Sequence, residues 1–531
     1  MPKTEYDYII VGSGSAGSVL ANRLSAKAEI KVLLLEAGGS DNSFYVRMPA
    51  GIANLSGPRF NWGYETAPQA AMKGRRMYWP RGRLIGGSSS VNAMVYIRGQ
   101  AADYDHWRQL GNTGWSYDDV LPYFKKAERN ERLHDRFHGA DGPLNVADRP
   151  YTNPLSRIFV EAAQQAGLPF NPDFNGAVQL GCGLFQVTQK DGRRWSAASA
   201  YLHPVTARKN LTVITKAQAT RVLIENGSAV GVEYVRGRRR YTARAAREVV
   251  LAAGSINSPH LLLLSGIGPA DELRARGVAV VHDLPGVGKN LQDHLNVNIV
   301  RRAKRGSTLD GKNRGFAPLG VALEYLLYGT GPGTSNVAEA GAFAISELGA
   351  ATPDIQYHFI PAQMVDHART PMDGDGVTLH ACCLRPQSRG EIRLASADPL
   401  QPPVMDPNYL AADYDLKILI AGLRQGRKIL AAAAFAPWLE EERIPGKAAQ
   451  SNAEVEEFIR ATAETEYHPV GTCKMGSDPL AVVDEDLRLR GIERLRVIDA
   501  SIMPSIVSGN TNAPAIIIAE KGADMMLAAA G

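Results

Sequence analysis

A chain of 531 residues that is 45% hydrophobic and 21% charged holds enough apolar material for two or three folding units, which excludes a disordered protein. Its formal net charge of +5 is too mild to mark a nucleic-acid or anionic-membrane partner by charge alone. Four cysteines, Cys182, Cys382, Cys383 and Cys473, exclude a disulfide scaffold, and their spacing does not fit paired zinc knuckles. They fit a reducing compartment in which thiols are buried as small apolar groups. Cys382 and Cys383 are adjacent, and neighbours on a strand face opposite ways, so they cannot share a metal, and no metal is expected. The opening MPKTEYDYIIVG lacks the basic, apolar and small-residue regions of a signal peptide. No apolar run approaches the ~18 residues of a membrane span. A cytoplasmic protein is expected, with peripheral membrane contact left open.

In chain order, Tyr6 to Val11 is an apolar run rich in strand formers. Ser15 to Ala26 carries Ala16, Val19, Leu20 and Leu24 at helical spacing, and Lys31 to Leu35 is a second apolar strand. Two apolar strands joined by a helix predict a parallel βαβ unit with its sheet buried on both faces. Asp103, Tyr104, Asp105 and Trp107 read as a helix start rather than a carboxylate pair. Leu211 to Thr215, Ala229 to Val235 and Arg247 to Ala252 predict a β-meander leading into another βα unit, with Gly237 and Arg238 to Arg240 at a hairpin tip. Residues 301–464 mix strands with long amphipathic helices such as Asp415 to Ala432. The chain closes on a strand, Leu495 to Asp499, and a helix, Ala513 to Leu527. Nucleotide-fold elements at both ends predict one domain assembled from discontinuous segments.

The segment Gly12-Ser13-Gly14-Ser15-Ala16-Gly17 lies between the first strand and helix. Its glycines permit a tight turn and a close backbone approach to a pyrophosphate, and the helix N-terminus supplies unpaired N–H groups. Glu36 ends the second strand 24 residues after Gly12 (36 minus 12). A carboxylate there accepts hydrogen bonds from a ribose and repels a 2′-phosphate. This predicts dinucleotide binding without separating NAD from FAD.

A second glycine cluster, Gly82-Arg83-Leu84-Ile85-Gly86-Gly87-Ser88-Ser89-Ser90-Val91-Asn92, is too small and polar for a core segment and reads as a loop around a polar ligand. Together with Gly254 to Pro259, Ser265 to Pro269, Leu284 to His294, Val497 to Pro504 and Ser508 to Pro514, it resembles the signatures of the glucose–methanol–choline (GMC) flavoprotein oxidoreductases. The resemblance covers essentially the whole chain. It implies an α/β fold: a Rossmann-like FAD-binding domain with a discontinuous α+β substrate domain. The FAD-binding parts are then residues 1–150, with a lid loop at about 60–80, 208–300 and 471–531, and the substrate parts are 151–207 and 301–470.

The resemblance also implies site residues. Some relatives attach FAD covalently through a histidine where this chain has Val91, which has no nucleophile, so non-covalent FAD is expected. Asn92 and Ala93 are expected near the isoalloxazine, Asp499 and Ala500 near the ribityl–pyrophosphate, and Ala219 at the adenine. Ala37, Arg83, Gly86, Gly87, Ser88, Met94, Val95, Asn512 and Pro514 complete the expected cofactor set. Trp62, Tyr64 and Met77-Tyr78-Trp79 fall in the region that relatives use as a lid.

Oxidising an alcohol requires a base for the hydroxyl proton, and histidine suits neutral pH. Of eleven histidines, His468 in Tyr467-His468-Pro469-Val470-Gly471-Thr472 matches the family's base. Asn512, 44 residues on (512 minus 468), takes the second catalytic position, where asparagine donates a hydrogen bond but cannot act as a base. Glu339 and Val470 are weaker substrate candidates, with a structural hydrogen-bond network the alternative for Glu339.

The expected activity is FAD-dependent oxidation of a primary alcohol or polyol, with electrons passing to a non-oxygen acceptor such as a quinone. An oxidase that makes hydrogen peroxide, a choline dehydrogenase and a hydroxynitrile lyase are the alternatives. A hydrolase is disfavoured because no nucleophile elbow carries the rest of a triad. The stretch Pro169 to Ala177 resembles sorbose, polyethylene-glycol and choline dehydrogenases alike, and the expected substrate is an uncharged compound bearing a hydroxymethyl group.

Overall fold

A computed structural model describes residues 5–313 and 317–529. In chain order the elements used below are β1 (Glu5–Val11), α1 (Ser15–Leu24), β2 (Val32–Leu35), α2 (Pro154–Gln165), β3 (Gly181–Leu184), β4 (Leu211–Ile214), β5 (Ala217–Glu225), β6 (Ser228–Arg236), β7 (Arg239–Leu251), α3 (Gly254–Leu264), β8 (Leu295–Ala303), α4 (Ala317–Tyr328), β9 (Ala340–Ala344), β10 (Ile355–Ile360), β11 (Asp375–Cys383), α5 (Asp413–Leu430), β12 (Leu439–Ile444), β13 (Glu464–Thr465), β14 (Leu495–Val497) and α6 (Asn512–Ala529).

The first sheet has the order β4-β2-β1-β7-β6-β5, with β14 also on β7. The pairs β4–β2, β2–β1, β1–β7 and β7–β14 are parallel, and β7–β6 and β6–β5 are antiparallel. The apolar run Tyr8 to Val11 of β1 and all of β2 are buried, with α1 packed against both strands. α6 packs along α1, tied to it by Arg23–Glu520 at 2.6 Å. The last helix thus returns to the first βα unit, and the last strand joins the same sheet at β7, as the two ends of the sequence predict.

One expectation is corrected. Leu211–Ile214 is not part of the meander. It lies at the far edge, parallel to β2 with Thr212 opposite Leu33, and the meander is β5–β6–β7. Lys216, with φ at 57°, turns the chain between β4 and β5, and the Ala217 N–H bonds the Glu36 carbonyl. The β6–β7 hairpin closes with Arg236 opposite Arg239, leaving Gly237 and Arg238 as a two-residue turn. Asp499 falls just beyond β14, where its carboxylate caps a short 3₁₀ turn by accepting from Ser501 N–H at 2.8 Å.

The second sheet, order β12-β8-β11-β10-β9-β3 with β13 also on β8, is antiparallel throughout. β8 straddles residue 300, where sequence reasoning placed a segment boundary, and pairs within this sheet. α2 and α5 cover one face, and Phe159 of α2 stacks on Phe359 of β10 at 4.8 Å. β11 is buried along its length, and all four cysteines are buried and unpaired. No helix among the described residues is long and apolar enough to cross a membrane.

Candidate active site

A cavity of about 530 Å³ runs between the sheets. Val11, Leu35 and Ala252 bring the carboxyl ends of three parallel strands to its wall, and His358, Ile360 and His380 bring the second sheet. The carboxyl ends of parallel strands are where open α/β sheets bind nucleotides.

At the first turn, Gly12 has φ at 97°, and a Cβ there would lie 2.6 Å from the Ala252 carbonyl oxygen. A Cβ on Gly17 would lie 1.8 Å from the Gly12 carbonyl oxygen, so both positions admit only glycine. Gly14 differs: a Cβ there would meet Gly87 Cα only at 4.0 Å, so its backbone borders open space. α1 starts immediately after it with no side-chain cap, which leaves first-turn N–H groups and the positive end of the helix for an anion. Glu36 Oε2 accepts from Ser13 N–H at 3.0 Å and Ser13 Oγ at 2.7 Å, and Oε1 accepts from Gly38 N–H at 2.6 Å. Burial pushes this carboxyl up, opposed by those three bonds. One of its four acceptor sites remains for a ribose hydroxyl. An uncapped helix end, a glycine cradle and a buried carboxylate fit the adenosine-diphosphate half of FAD.

The second glycine cluster reaches the same cavity. Gly86 has φ at 85°, a Cβ on Gly87 would lie 2.8 Å from Gly14 Cα, and Gly87–Ser90 forms a 3₁₀ turn. Asn92 Oδ1 accepts from Met94 N–H at 3.0 Å and from Arg194 at 2.9 Å. Arg194, buried without a carboxylate partner among the described residues and pushed down by burial to about 9, thereby pins the loop, a role sequence reasoning missed.

Of the expected cofactor residues, Gly12, Gly14, Ser15, Ala16, Glu36, Ala37, Gly87, Ser88, Asn92, Ala93, Met94, Val95, Ala219, Asp499, Ala500 and Asn512 line the cavity. Ser13, Gly17, Arg83, Gly86 and Pro514 stand behind its wall. Ser13 holds Glu36, and the Arg83 guanidinium lies over the Trp62 ring at 4.5 Å. Asp499 accepts from Gly254 N–H at 2.8 Å and Ser258 Oγ at 2.5 Å, joining α3 to the last strand.

At the other end sits His468. Its backbone N–H bonds Asp293 Oδ1 at 2.7 Å, its Nδ1 lies 3.0 Å from His294 Nδ1, and its Nε2 lies 3.2 Å from Asn510 Nδ2. His294 Nε2 lies 3.0 Å from the Leu384 carbonyl. A carbonyl only accepts, so neutral His294 carries its proton on Nε2 and offers a bare Nδ1. His468 must then donate from Nδ1, which leaves its own Nε2 unprotonated at the cavity, where it accepts from the Asn510 amide N–H at 3.2 Å. Burial pushes His468 well below the usual imidazole range, and His294 adds to that; burial also takes His294 down to about 4. Both rings are neutral at pH 7.

Asn510 is oriented in turn, because its Oδ1 accepts from Gln356 Nε2 at 3.2 Å. Opposite residues of β10 and β11, His358 and His380, flank Glu466 at 3.9 and 2.8 Å. Burial raises the Glu466 carboxyl, but His380 and His358 outweigh it and hold it at about 2.

The pairing corrects one expectation. Asn510, not Asn512, contacts the His468 ring, whereas Asn512 begins α6 with its Oδ1 accepting from Ser15 Oγ at 2.7 Å. Asn512 therefore lines the cavity beside the nucleotide turn. The sequence signal was Asn510-Thr511-Asn512, in which the counted spacing selected the wrong asparagine. Asp293, His294, His358, His380, Gln356 and Glu466 were also missed as site residues, and only their convergence from separate strands and loops reveals them.

Glu339 is fully buried and not on the cavity wall; it accepts from Asn153 N–H at 2.7 Å, Ser156 Oγ at 2.7 Å and Ser335 Oγ at 2.6 Å. That is the structural network weighed above. Val470, also buried off the wall, pairs its backbone with Gln292. In the expected lid region, Tyr64–Glu65 pairs with Tyr78–Trp79 in a small hairpin. Trp62 and Tyr78 line the cavity, while Trp79 is buried and donates to Asp293 at 3.3 Å and Tyr409 at 3.1 Å. Among the described residues one group, Asp366, His367 and Glu464, has metal-ligand spacing. Its atoms are engaged by Arg369, the Tyr467 hydroxyl and the Asp366 N–H respectively.

A nucleotide cradle joined to a buried histidine centre by one cavity defines a flavin-dependent oxidoreductase. The chain belongs to the GMC oxidoreductase family: residues 6–296 and 386–519 match its two domain models. It is 49% identical to the alcohol dehydrogenase [acceptor] of Pseudomonas putida, over 98% of this chain and 96% of that one. It is 48% identical to the mitochondrial choline dehydrogenase of Homo sapiens, over 99% of this chain and 90% of that one. Among solved structures, a formate oxidase variant from Aspergillus oryzae RIB40 studied for its FAD modification superposes with a TM-score of 0.93, at 28% identity over 99% and 98% of the two chains. FAD is the cofactor, and the chain is an enzyme of the alcohol-oxidising class.

Proposed function

We propose that the protein oxidises the hydroxymethyl group of an uncharged alcohol or polyol to the carbonyl, with His468 as the base. The observation that carries this is the fixed tautomer: His294 and Leu384 leave His468 Nε2 unprotonated at the cavity. FAD, when bound, supplies a hydride acceptor. Its adenosine-diphosphate half would be held by the uncapped end of α1, the Gly12 to Gly17 turn and Glu36. Val91 lines the cavity and has no nucleophile, which supports non-covalent binding.

Substrate enters with its hydroxyl between His468 Nε2 and Asn510 Nδ2. Nε2 takes the hydroxyl proton, and Asn510, held by Gln356, donates to the substrate oxygen as negative charge develops there. His468 is buried, and a neutral base of low pKa remains available at pH 7. Two features favour an uncharged substrate. Glu339 is committed to three donors away from the cavity, and the Glu466 carboxylate is engaged by His380 at 2.8 Å, whose pKa the carboxylate raises against burial. The electrons then pass to a non-oxygen acceptor of the quinone class.

The test is anaerobic mixing of the purified yellow holoenzyme with a panel of alcohols, followed by air. Bleaching by uncharged primary alcohols and slow recolouring are expected. Bleaching by quaternary ammonium alcohols alone overturns the substrate class, and fast recolouring with peroxide makes the protein an oxidase. No bleaching by any alcohol, with cyanohydrin cleavage instead, overturns the redox reading.

A further inference from the structure

Fifteen large apolar side chains are exposed among the described residues, and seven of them are concentrated in one place: Phe44, Tyr45, Leu319, Leu323, Leu326, Leu327 and Tyr328. Five belong to α4, whose sequence APLGVALEYLLY is apolar on both sides. At 3.6 residues per turn, Leu319, Leu323, Leu326 and Leu327 fall within an arc of about 100°, and Val321 and Tyr325 lie on the opposite side. The inner side is accounted for: Tyr325 is buried against Phe44 at 5.9 Å, and Val321 lines the active-site cavity. The outer leucine stripe faces water, with Leu319 69% and Leu327 62% exposed. A stripe of this size on a soluble surface marks a contact face.

We propose that α4, with Phe44, Tyr45 and Tyr328, seats the enzyme on a lipid bilayer surface. Several features favour lipid over a protein partner. α4 has twelve residues, too short to span a bilayer, and lies along the surface with one side of leucines outward. Three aromatic side chains border the stripe, as amphipathic rings do at a headgroup boundary. Arg47 and Arg193 lie close enough to Tyr325 to act on its charge, Lys312 borders the cavity, and all three are exposed and able to reach phosphate. Glu324 and Asp191 are the acids beside them, so apolar insertion rather than net charge drives the contact. The patch is continuous with the cavity wall through Val321, so a lipid-dissolved acceptor or substrate would reach the site without crossing water. The inference rests on the proposed activity only for that purpose. Binding is read without turnover, so the two fail separately.

The test is flotation of the holoenzyme with vesicles of phosphatidylcholine, alone or mixed with phosphatidylglycerol, comparing wild type with Leu323→Glu/Leu327→Glu. Both substituted positions are exposed and outside the cavity wall, so flavin content and turnover with a soluble dye acceptor remain at wild-type level. Wild type is expected to float with both vesicle types, more strongly on the anionic one, and the variant is expected to lose at least tenfold in bound fraction. Wild type that floats with neither vesicle, or a variant that floats equally well, overturns the proposal. A dimeric wild type that the substitutions convert to monomers also overturns it, since the stripe would then be covered by a second copy.

Discussion

Replacing His294 tests the proton arrangement most directly. In His294→Leu, His468 Nδ1 loses its acceptor at 3.0 Å, and the Leu384 carbonyl loses its donor. A neutral hydrogen bond is worth about 0.5–1.5 kcal/mol net, so the population of the tautomer with a bare Nε2 falls by roughly 2- to 13-fold. A positioning loss of that size is expected in kcat/KM, well short of the ~10²–10⁴ that removal of the base itself costs. The pH profile adds a second readout. His468 must be neutral to accept a proton, and its pKa lies well below 6.5, so activity persists as the pH falls through 6.5 and is lost only further down. His294 contributes to that depression, so its removal moves the acid limb to higher pH. His294→Asn, whose amide oxygen can stand in for Nδ1, keeps kcat/KM within about threefold of wild type. The assay is kcat/KM with a soluble dye acceptor across acid and neutral pH, normalised to bound flavin. An unchanged kcat/KM and an unmoved acid limb in His294→Leu refute the reasoning, as does a thousandfold loss with flavin intact.

Other substitutions separate the remaining roles. His468→Ala abolishes substrate-driven flavin bleaching while flavin stays bound, and retained bleaching removes His468 from the base role. Asn510→Ala lowers kcat by about 10²–10³, as for loss of one donor to a developing oxyanion, whereas Asn512→Ala mainly weakens flavin retention; equal kcat losses count against the assignment. Gly17→Ala forces a methyl group to 1.8 Å from the Gly12 carbonyl oxygen, so the purified protein carries far less flavin per chain, read from its absorbance ratio. Glu339→Ala leaves three donors without their acceptor and lowers stability by about 3 kcal/mol, seen as a lower apparent melting temperature, with KM unchanged. A raised KM at full stability would return Glu339 to the substrate.

The nucleotide half of the site was readable from the chain because its physics is local. A strand, a glycine turn, a helix and an acid within the first 36 residues make a complete cradle, and in the structure Gly12, Gly17 and Glu36 occupy the positions their spacing predicts. The family signatures extended that reading to Asn92, Ala219 and Asp499, each of which lines the cavity. The edge strand Leu211–Ile214 was legible as a strand but not as a neighbour of β2, because pairing across nearly 180 residues leaves no trace in a local pattern.

The catalytic half was decided by tertiary structure. His468 was legible through its motif, but which asparagine it meets depends on where α6 begins and on the bond from Ser15 that holds Asn512 back. His294 is fixed by the Leu384 carbonyl 90 residues away, and His358 faces His380 only through the β10–β11 register. The same holds for α4. Its leucines are a surface feature only because the fold turns the opposite side inward, with Val321 at the cavity and Tyr325 buried against Phe44. Residue type and spacing fix a site when its parts lie within one supersecondary unit. When donor and acceptor arrive from different sheets, protonation state and exposure exist only once the chain has packed.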